Sequence, residues 1–349
     1  MMKKVCVALL LQSIITIFFS VTVTAGVEPT DIILSDSENS IYMTSCNLSS
    51  ITDIAQEPAC SSIIYKVNLN NNNKVVFYRD SQLDRVQLSP DSNRLAVIRN
   101  YYSKTPELLI IDKKEKKEIA HLKAKIMKYI WSPDSRIILY ITGERKKRSR
   151  LINSTGVWVY NIEKNEKKMI AEKAQDIFWP TGDDIFIINY EKKYDKNYNI
   201  STNYGSYIYN YKTGSINQKG LNGVQFSFDG KYSILYRPEF YDLPDDEGRI
   251  RIDFYDLKNK KKILAEQVSS MFQNPVFLSW DSFFFGKDNR VIFWEMPWNT
   301  NLRDIKIVDI DNNRVLKTVK GKYKIIGTNS DRSKIVIFSA GKFEAADVP

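Results

Sequence analysis

The phrase Leu88-Ser89-Pro90-Asp91-Ser92 returns as Trp131-Ser132-Pro133-Asp134-Ser135, and weaker echoes of it run the length of the 349-residue chain. They are Leu34-Ser35-Asp36-Ser37, Trp179-Pro180-Thr181-Gly182, Phe226-Ser227-Phe228-Asp229-Gly230, Leu278-Ser279-Trp280-Asp281-Ser282 and Thr328-Asn329-Ser330-Asp331. Taking the serine-like position of each (35, 89, 132, 179, 227, 279 and 329), the steps are 54, 43, 47, 48, 52 and 50 residues. A repeat of this length is one supersecondary unit, and stacking against its neighbours buries what it cannot bury alone.

Each phrase sits between short apolar runs, as Tyr129-Ile130-Trp131 and Ile137-Ile138-Leu139-Tyr140-Ile141 flank the third. It therefore reads as a hairpin turn. Proline sets φ at the first corner, aspartate bonds the backbone amides that follow, and a small residue takes the left-handed corner. After a variable loop comes a second strand pair, Val157 to Ile162 and Lys168 to Ile170 around a Lys/Asn/Glu turn. That pair recurs at 63–78, 108–122, 207–218, 252–265 and 305–319. Four strands per repeat follow, here called a, b, c and d, rich in β-branched and aromatic residues and with no sustained helical period. The expected fold class is all-β.

These residues resemble the TolB-type, WD40-like propeller repeat, whose blades carry an aromatic-Ser-Pro-Asp-Gly phrase and a later Ile-Tyr-Val-x-Asp-Leu strand. Trp131–Ser135 with Trp158–Ile162, and Phe226–Gly230 with Asp253–Leu257, carry the likeness best. Asp309, Val315 and Thr318 resemble the YVTN-type propellers. The α/β domain that precedes the propeller in TolB itself has no counterpart here, and the Gly-His and Trp-Asp pairs of true WD40 blades do not occur. The resemblance implies a β-propeller of four-stranded blades and a habit of binding. Seven a–b phrases but six c–d pairs can be counted, so the last repeat, from Lys322, is half-sized. Seven blades are favoured, the last completed by Gly341–Ala345 and by Val27–Leu34; six blades around a shared mixed one is the alternative.

The chain opens with Lys3 and Lys4, an apolar stretch from Val5 to Val21, and Val23-Thr24-Ala25 before Gly26. This is the pattern of a secretory signal peptide over residues 1–25. Residues 26–349 then form a single domain, exported to the periplasm or secreted, with no membrane span in the mature chain. Removing two lysines lowers the formal charge from +10 to +8. Only Cys46 and Cys60 remain, and in an oxidising compartment such a pair is most simply a disulfide.

In a propeller the a–b and c–d turns share one end of the blades, and the b–c loops share the other. The lysine clusters at 113–117, 164–168 and 258–262 belong to the first end, the irregular segments to the second. Residues 44–62 hold the cysteines; 143–150 carry Arg145, Lys146, Lys147, Arg148 and Arg150; 190–204 carry Tyr194, Tyr198 and Tyr204. Residues 237–249 hold Tyr241 with Glu239, Asp242, Asp245, Asp246 and Glu247, and 294–303 hold Trp294, Trp298 and Arg303. Aromatics and arginines gathered at one end suit a protein-binding surface, although loops also simply vary. These are the candidate binding residues.

Chemistry is thinly represented. His121 is the only histidine, expected at the outer end of a d strand as a surface group, so multi-histidine metal sites and a serine triad are not expected. The 242–248 segment lacks the ligand alternation of an EF-hand. No phosphate loop, Cys-x-x-Cys pair or dinucleotide fingerprint occurs, so no cofactor, metal or catalytic residue is nominated. Secretion argues against nucleic acid as the target of the basic loop. The reading is an exported propeller that binds a protein partner of the cell envelope. The alternative is a polysaccharide-binding or polysaccharide-active hydrolase or lyase, which requires carboxylates about 5–10 Å apart at the axial mouth.

Overall fold

The computed structural model describes residues 33–44, 63–100, 105–145, 152–180, 182–194, 200–221, 225–227, 229–239, 249–259, 261–263, 283–295, 304–312, 314–320, 324–329, 331–339 and 342–349. Apart from two short 3-10 turns, their regular structure is all strand. The strands group into consecutive antiparallel units. Unit I holds β1 (Ile33–Ser35), β2 (Ser40–Thr44), β3 (Ile63–Asn68) and β4 (Lys74–Arg79). Unit II holds β5 (Asp84–Leu88), β6 (Arg94–Arg99), β7 (Glu107–Asp112) and β8 (Lys117–Lys123); unit III holds β9 (Ile126–Trp131), β10 (Ile137–Arg145), β11 (Ile152–Asn161) and β12 (Glu166–Ala171). Unit IV is β13 (Asp176–Phe178), β14 (Asp184–Ile188), β17 (Ser206–Asn210) and β18 (Ile216–Leu221), with a separate hairpin, β15 (Tyr190–Tyr194) and β16 (Ile200–Tyr204), between its second and third strands. Unit V is β19 (Gln225–Phe226), β20 (Tyr232–Glu239), β21 (Arg249–Asp256) and β22 (Lys261–Ile263); unit VI is β23 (Phe283–Phe285), β24 (Arg290–Glu295), β25 (Asp304–Asp309) and β26 (Arg314–Val319). Unit VII has β27 (Lys324–Thr328), β28 (Lys334–Ser339) and β29 (Lys342–Asp347).

The third strands show why the units stack. Glu107-Leu-Leu-Ile-Ile-Asp112 is buried along its whole apolar run, so both of its faces are covered. The covering surfaces are the neighbouring units. Ile33, Tyr42 and Phe77 of unit I pack on Leu88, Val97 and Leu109 of unit II. Leu108 and Ile110 of unit II meet Tyr129, Tyr140 and Tyr160 of unit III, and Leu139 and Val159 of unit III meet Ile185 and Ile187 of unit IV. Phe186 and Ile188 of unit IV meet Phe226 and Leu257 of unit V; Ile292 and Ile307 of unit VI meet Ile335 and Ile337 of unit VII. Leu34, Ile41 and Met43 of unit I pack on Val336 and Phe343 of unit VII. Units V and VI are joined by polar bonds: Asn289 Nδ2 donates to Asp229 (2.8 Å), and Tyr232 Oη donates to Asp311 (2.5 Å). Contacts therefore run round from the last unit to the first, with the fourth strands left outermost and exposed.

The Ser-Pro-Asp turn is a hydrogen-bonded module. Ser132 Oγ donates to Asp134 (2.6 Å) and accepts from Ile137 N (2.9 Å); Asp134 accepts from Arg136 N (3.1 Å); Ser135 takes φ 64°. The same bonds recur around Ser89 and Asp91, with Ser92 at φ 61°, and around Ser227 and Asp229, with Gly230 at φ 68°. In unit VII Asn329 Oδ1 accepts from Lys334 N (2.9 Å) in place of serine, and the left-handed corner falls to Arg332 at φ 54°.

These turns give the protein an acid limit. Burial alone would raise the Asp91 carboxyl, but the bonds from Ser89 and Asn93 outweigh it and hold the group below its usual range; Asp331 is lowered in the same way by Ser333. Depressed folded values give stability that is complete above the unfolded value, roughly 4. It is lost as the pH falls through the folded values. Urea midpoints measured from pH 7 down to 2 are expected to stay level to about pH 4 and then decline, and Asp91→Asn is expected to flatten the decline.

Two expectations concern the sixth repeat and the closure of the ring. The phrase Leu278–Ser282 lies outside the described residues, and the turn that joins β23 to β24 is Gly286–Asn289, where Asp288 (φ 51°) and Asn289 (φ 57°) take left-handed corners. Of the 27–34 segment expected to complete the last unit, Ile33 and Leu34 are among the described residues. They form β1, whose Ile33 pairs in parallel with Thr328 of β27, joining units I and VII into one seven-stranded sheet. Residues 342–347 do pair with β28, as that unit's third strand.

Candidate functional site

The a–b turns of neighbouring units are bonded to one another, which aligns their ends. Asp91 N donates to Ser135 Oγ (2.9 Å) and Arg94 to Ser135 O (3.1 Å); Lys287 N donates to Arg332 O (3.2 Å) and Arg332 to Phe285 O (3.0 Å). The b–c connections leave from the opposite end together with the unit-to-unit crossings. Lys125, on the crossing from II to III, pairs with Glu144 near the tip of β10, and Arg99 at the end of β6 bonds Asp80 on the crossing from I to II (2.9 Å). We call these the turn end and the loop end.

At the loop end the second and third strands of unit III run on past the core as a long hairpin. Its register shifts between Thr142 and Gly143, and Thr142 Oγ1 gathers the region by donating to Gly156 O (3.3 Å) and accepting from Trp158 Nε1 (3.2 Å). Gly143 sits at φ 155°, and a Cβ there would lie 2.3 Å from Asn153 O. Only glycine fits that bulge.

Arg145 closes β10 opposite Ile152, and Tyr194 and Tyr204 lie in the unit IV hairpin opposite Ile200 and Tyr190. Trp294 lies in β24 opposite Ile305. Strand order puts these four at or beside b–c connections. Lys146, Lys147, Arg148, Arg150, Tyr198, Tyr241, Trp298 and Arg303 lie outside the described residues, as do Cys46, Cys60 and the acidic 242–248 segment. The 190–204 segment, expected to be irregular, is a hairpin of two five-residue strands.

His121 stands on an edge strand, as expected, but it is not isolated. It lies within β8 and belongs to an ion network: Arg99 bonds Glu107 (2.7 Å) and Asp80 (2.9 Å), and His121 Nε2 lies 3.0 Å from Glu107 and Nδ1 3.6 Å from Glu118. Its side chain is about three-quarters covered, at 22% exposure. Burial would raise the Glu107 carboxyl, but Arg99 and His121 outweigh it and hold the group below the usual carboxylate range. Such a carboxylate is a poor proton acceptor near neutral pH, so the cluster fastens the ends of β6 and β7 to β8. The signal was present in the sequence, since Arg99 closes strand b and Glu107 opens strand c as register partners.

Along the inner strands, Asp176 of β13 pairs with Lys128 of β9 (2.5 Å), and the Arg332 guanidinium stands 5.7 Å from the Phe178 ring centroid. Burial pushes the Arg332 pKa down to about 10, with Asp176 opposing the shift. The carboxylate here is thus neutralised by lysine. Among the described residues no group of three or more His, Cys, Asp and Glu side chains is placed to hold a metal ion, and no helix is long and apolar enough to cross a membrane.

No family model matches the sequence, and no curated protein does. Solved structures match at the level of fold. The β-propeller domain of the Trilobed protease from Pyrococcus furiosus, described as having an open velcro topology, is 19% identical with a TM-score of 0.56, over 92% of this chain and 96% of that one. Hydrazine synthase from Kuenenia stuttgartiensis is 12% identical with a TM-score of 0.58, over 93% and 97%. An oligogalacturonate lyase solved with manganese is 13% identical with a TM-score of 0.51, over 76% and 73%. Sheets stacked in cyclic order and likeness to these chains lead to one statement of fold: the protein is an all-β propeller.

Proposed function

We propose that this is an exported, TolB-type propeller of seven blades, the seventh of three strands, whose loop end binds a protein of the cell envelope. Residues 1–25 serve as the signal peptide, residues 26–349 as the single mature domain, and Cys46 with Cys60 as a disulfide within the first b–c loop. The observation that carries the binding role is the strand order, which sends dissimilar b–c connections to one end while bonded turns occupy the other. Conserved scaffolds that gather variable loops at one rim are a common way to build a recognition surface. The closed ion network around Arg99 favours binding over acid–base catalysis at that end.

The test is recovery of partners with the tagged, exported protein after mild cross-linking. Reversing Arg145, Lys146, Lys147, Arg148 and Arg150 to glutamate is expected to lower the yield of the principal envelope protein at least about tenfold, the size of losing a few desolvated charge contacts. An unchanged partner list removes this loop from the surface. Retention of acidic oligosaccharide instead of protein would favour the polysaccharide-binding reading.

A further inference from the structure

Among the described residues, the large apolar side chains that stand well exposed are Val75, Val76, Ile119, Met169, Ile216 and Val315. All six lie on fourth strands, within the first four residues after a c–d turn: in β4, β8, β12, β18 and β26. They therefore mark one circle, the outer rim of the turn end. Lysines crowd the same circle, most densely in the adjacent units II and III, where the turns read Lys113-Lys114-Glu115-Lys116-Lys117 and Glu163-Lys164-Asn165-Glu166-Lys167-Lys168. Lys113 is tied to Glu38 (3.4 Å) and Lys117 to Glu115 (3.0 Å). Glu163 is engaged by Arg136 at 3.8 Å, and Lys114, Lys164, Lys167 and Lys168 take no acidic partner among the described residues.

Lysine on an outermost strand can be explained by its keeping other sheets from pairing there. Valine, isoleucine and methionine beside it work against that purpose. Exposed apolar side chains set among unpaired lysines are what an anionic lipid surface selects: the apolar groups enter the boundary between headgroups and acyl chains while the ammonium groups meet the headgroup charge. The bonded a–b turns hold neighbouring units level at this end, so the two clusters form a broad rim, suited to a surface. We infer that the turn-end rim of units II and III docks the protein on an anionic lipid bilayer, leaving the loop end directed away from it.

The test uses the full protein purified after export and vesicles of phosphatidylcholine with or without about 30 mol% phosphatidylglycerol, read by co-sedimentation. Binding is expected to require the anionic lipid and to fall steeply between about 50 and 500 mM salt, because screening lengths shorten several-fold over that range. At about fivefold per lysine, reversing Lys114, Lys164, Lys167 and Lys168 to glutamate is expected to weaken binding well over a hundredfold. Ile119→Ser with Met169→Ser is expected to weaken it several-fold at every salt concentration. These exposed changes are expected to leave the thermal midpoint unmoved. Equal binding to neutral vesicles, absence of binding to both, or indifference to the lysine reversals overturns the proposal. So does tight binding to a soluble acidic polysaccharide without binding to vesicles.

Discussion

Truncating Tyr129 to alanine is expected to lower the unfolding free energy by about 3–5 kcal/mol, the range for removing a buried aromatic side chain. The ring is 1% exposed and fills the joint between units II and III, among Ile98, Leu108 and Ile110 on one side and Ile138, Tyr140 and Tyr160 on the other. Its hydroxyl reaches across that joint, donating to Ala96 O at 2.8 Å and to Arg85 O. Tyr129→Phe separates the two contributions, since it keeps the ring and removes only the hydroxyl bonds, a loss of roughly 0.5–1.5 kcal/mol. Urea midpoints of the three proteins at constant m-value measure both. A phenylalanine variant as stable as the parent would show that the hydroxyl bonds have no net weight.

Gly143→Val is expected to damage the loop end and spare the ring. The backbone at φ 155° is strained for any residue with a Cβ, by about 1–3 kcal/mol at such positions, and the added carbon would meet Asn153 O at 2.3 Å and Ser154 Cα at 2.9 Å. The hairpin has to shift where Gly143 pairs with Ser154 and Arg145 with Ile152, while Ile137–Ile141 against Val157–Asn161 stays anchored in the core. Amide exchange should therefore quicken across 143–155 and remain slow across 157–161. Partner recovery should fall with it if the 145–150 segment contributes. Slow exchange throughout would mean that the bulge can absorb a side chain.

The repeat was legible because the Ser-Pro-Asp turn is a local structure: Ser132, Asp134 and the amides they bind lie within six residues, so the letters carry the geometry. Strand pairs around charged turns were legible for the same reason. In the sixth unit the turn between β23 and β24 carries no such phrase and uses Asp288 and Asn289 at left-handed corners, a geometry that the letters do not announce. That 33–34 and 342–347 meet the last repeat was legible from its missing strands, but the register, Ile33 opposite Thr328, is a pairing no local pattern announces. The His121 network escaped notice for a related reason, since Asp80, Arg99, Glu107 and His121 come from four separate segments. Of the candidate site, the sequence pointed to the b–c connections but read Arg145, Tyr194, Tyr204 and Trp294 as loop residues, whereas they lie in strands. Side-chain geometry there depends on tertiary contacts that residue order does not encode.

The joint between units I and VII also sets a timetable. Leu34, Ile41 and Met43 are among the earliest core residues to be made, and Val336 and Phe343, which cover them, are among the latest. At a synthesis rate of about 5–20 residues per second, the roughly 300 residues between them take on the order of 15–60 s. Throughout that interval the first sheet presents an uncovered apolar face and an inner strand whose neighbour has not been made. The first sheet therefore has to be kept from non-specific association until the last one has been made and covers it.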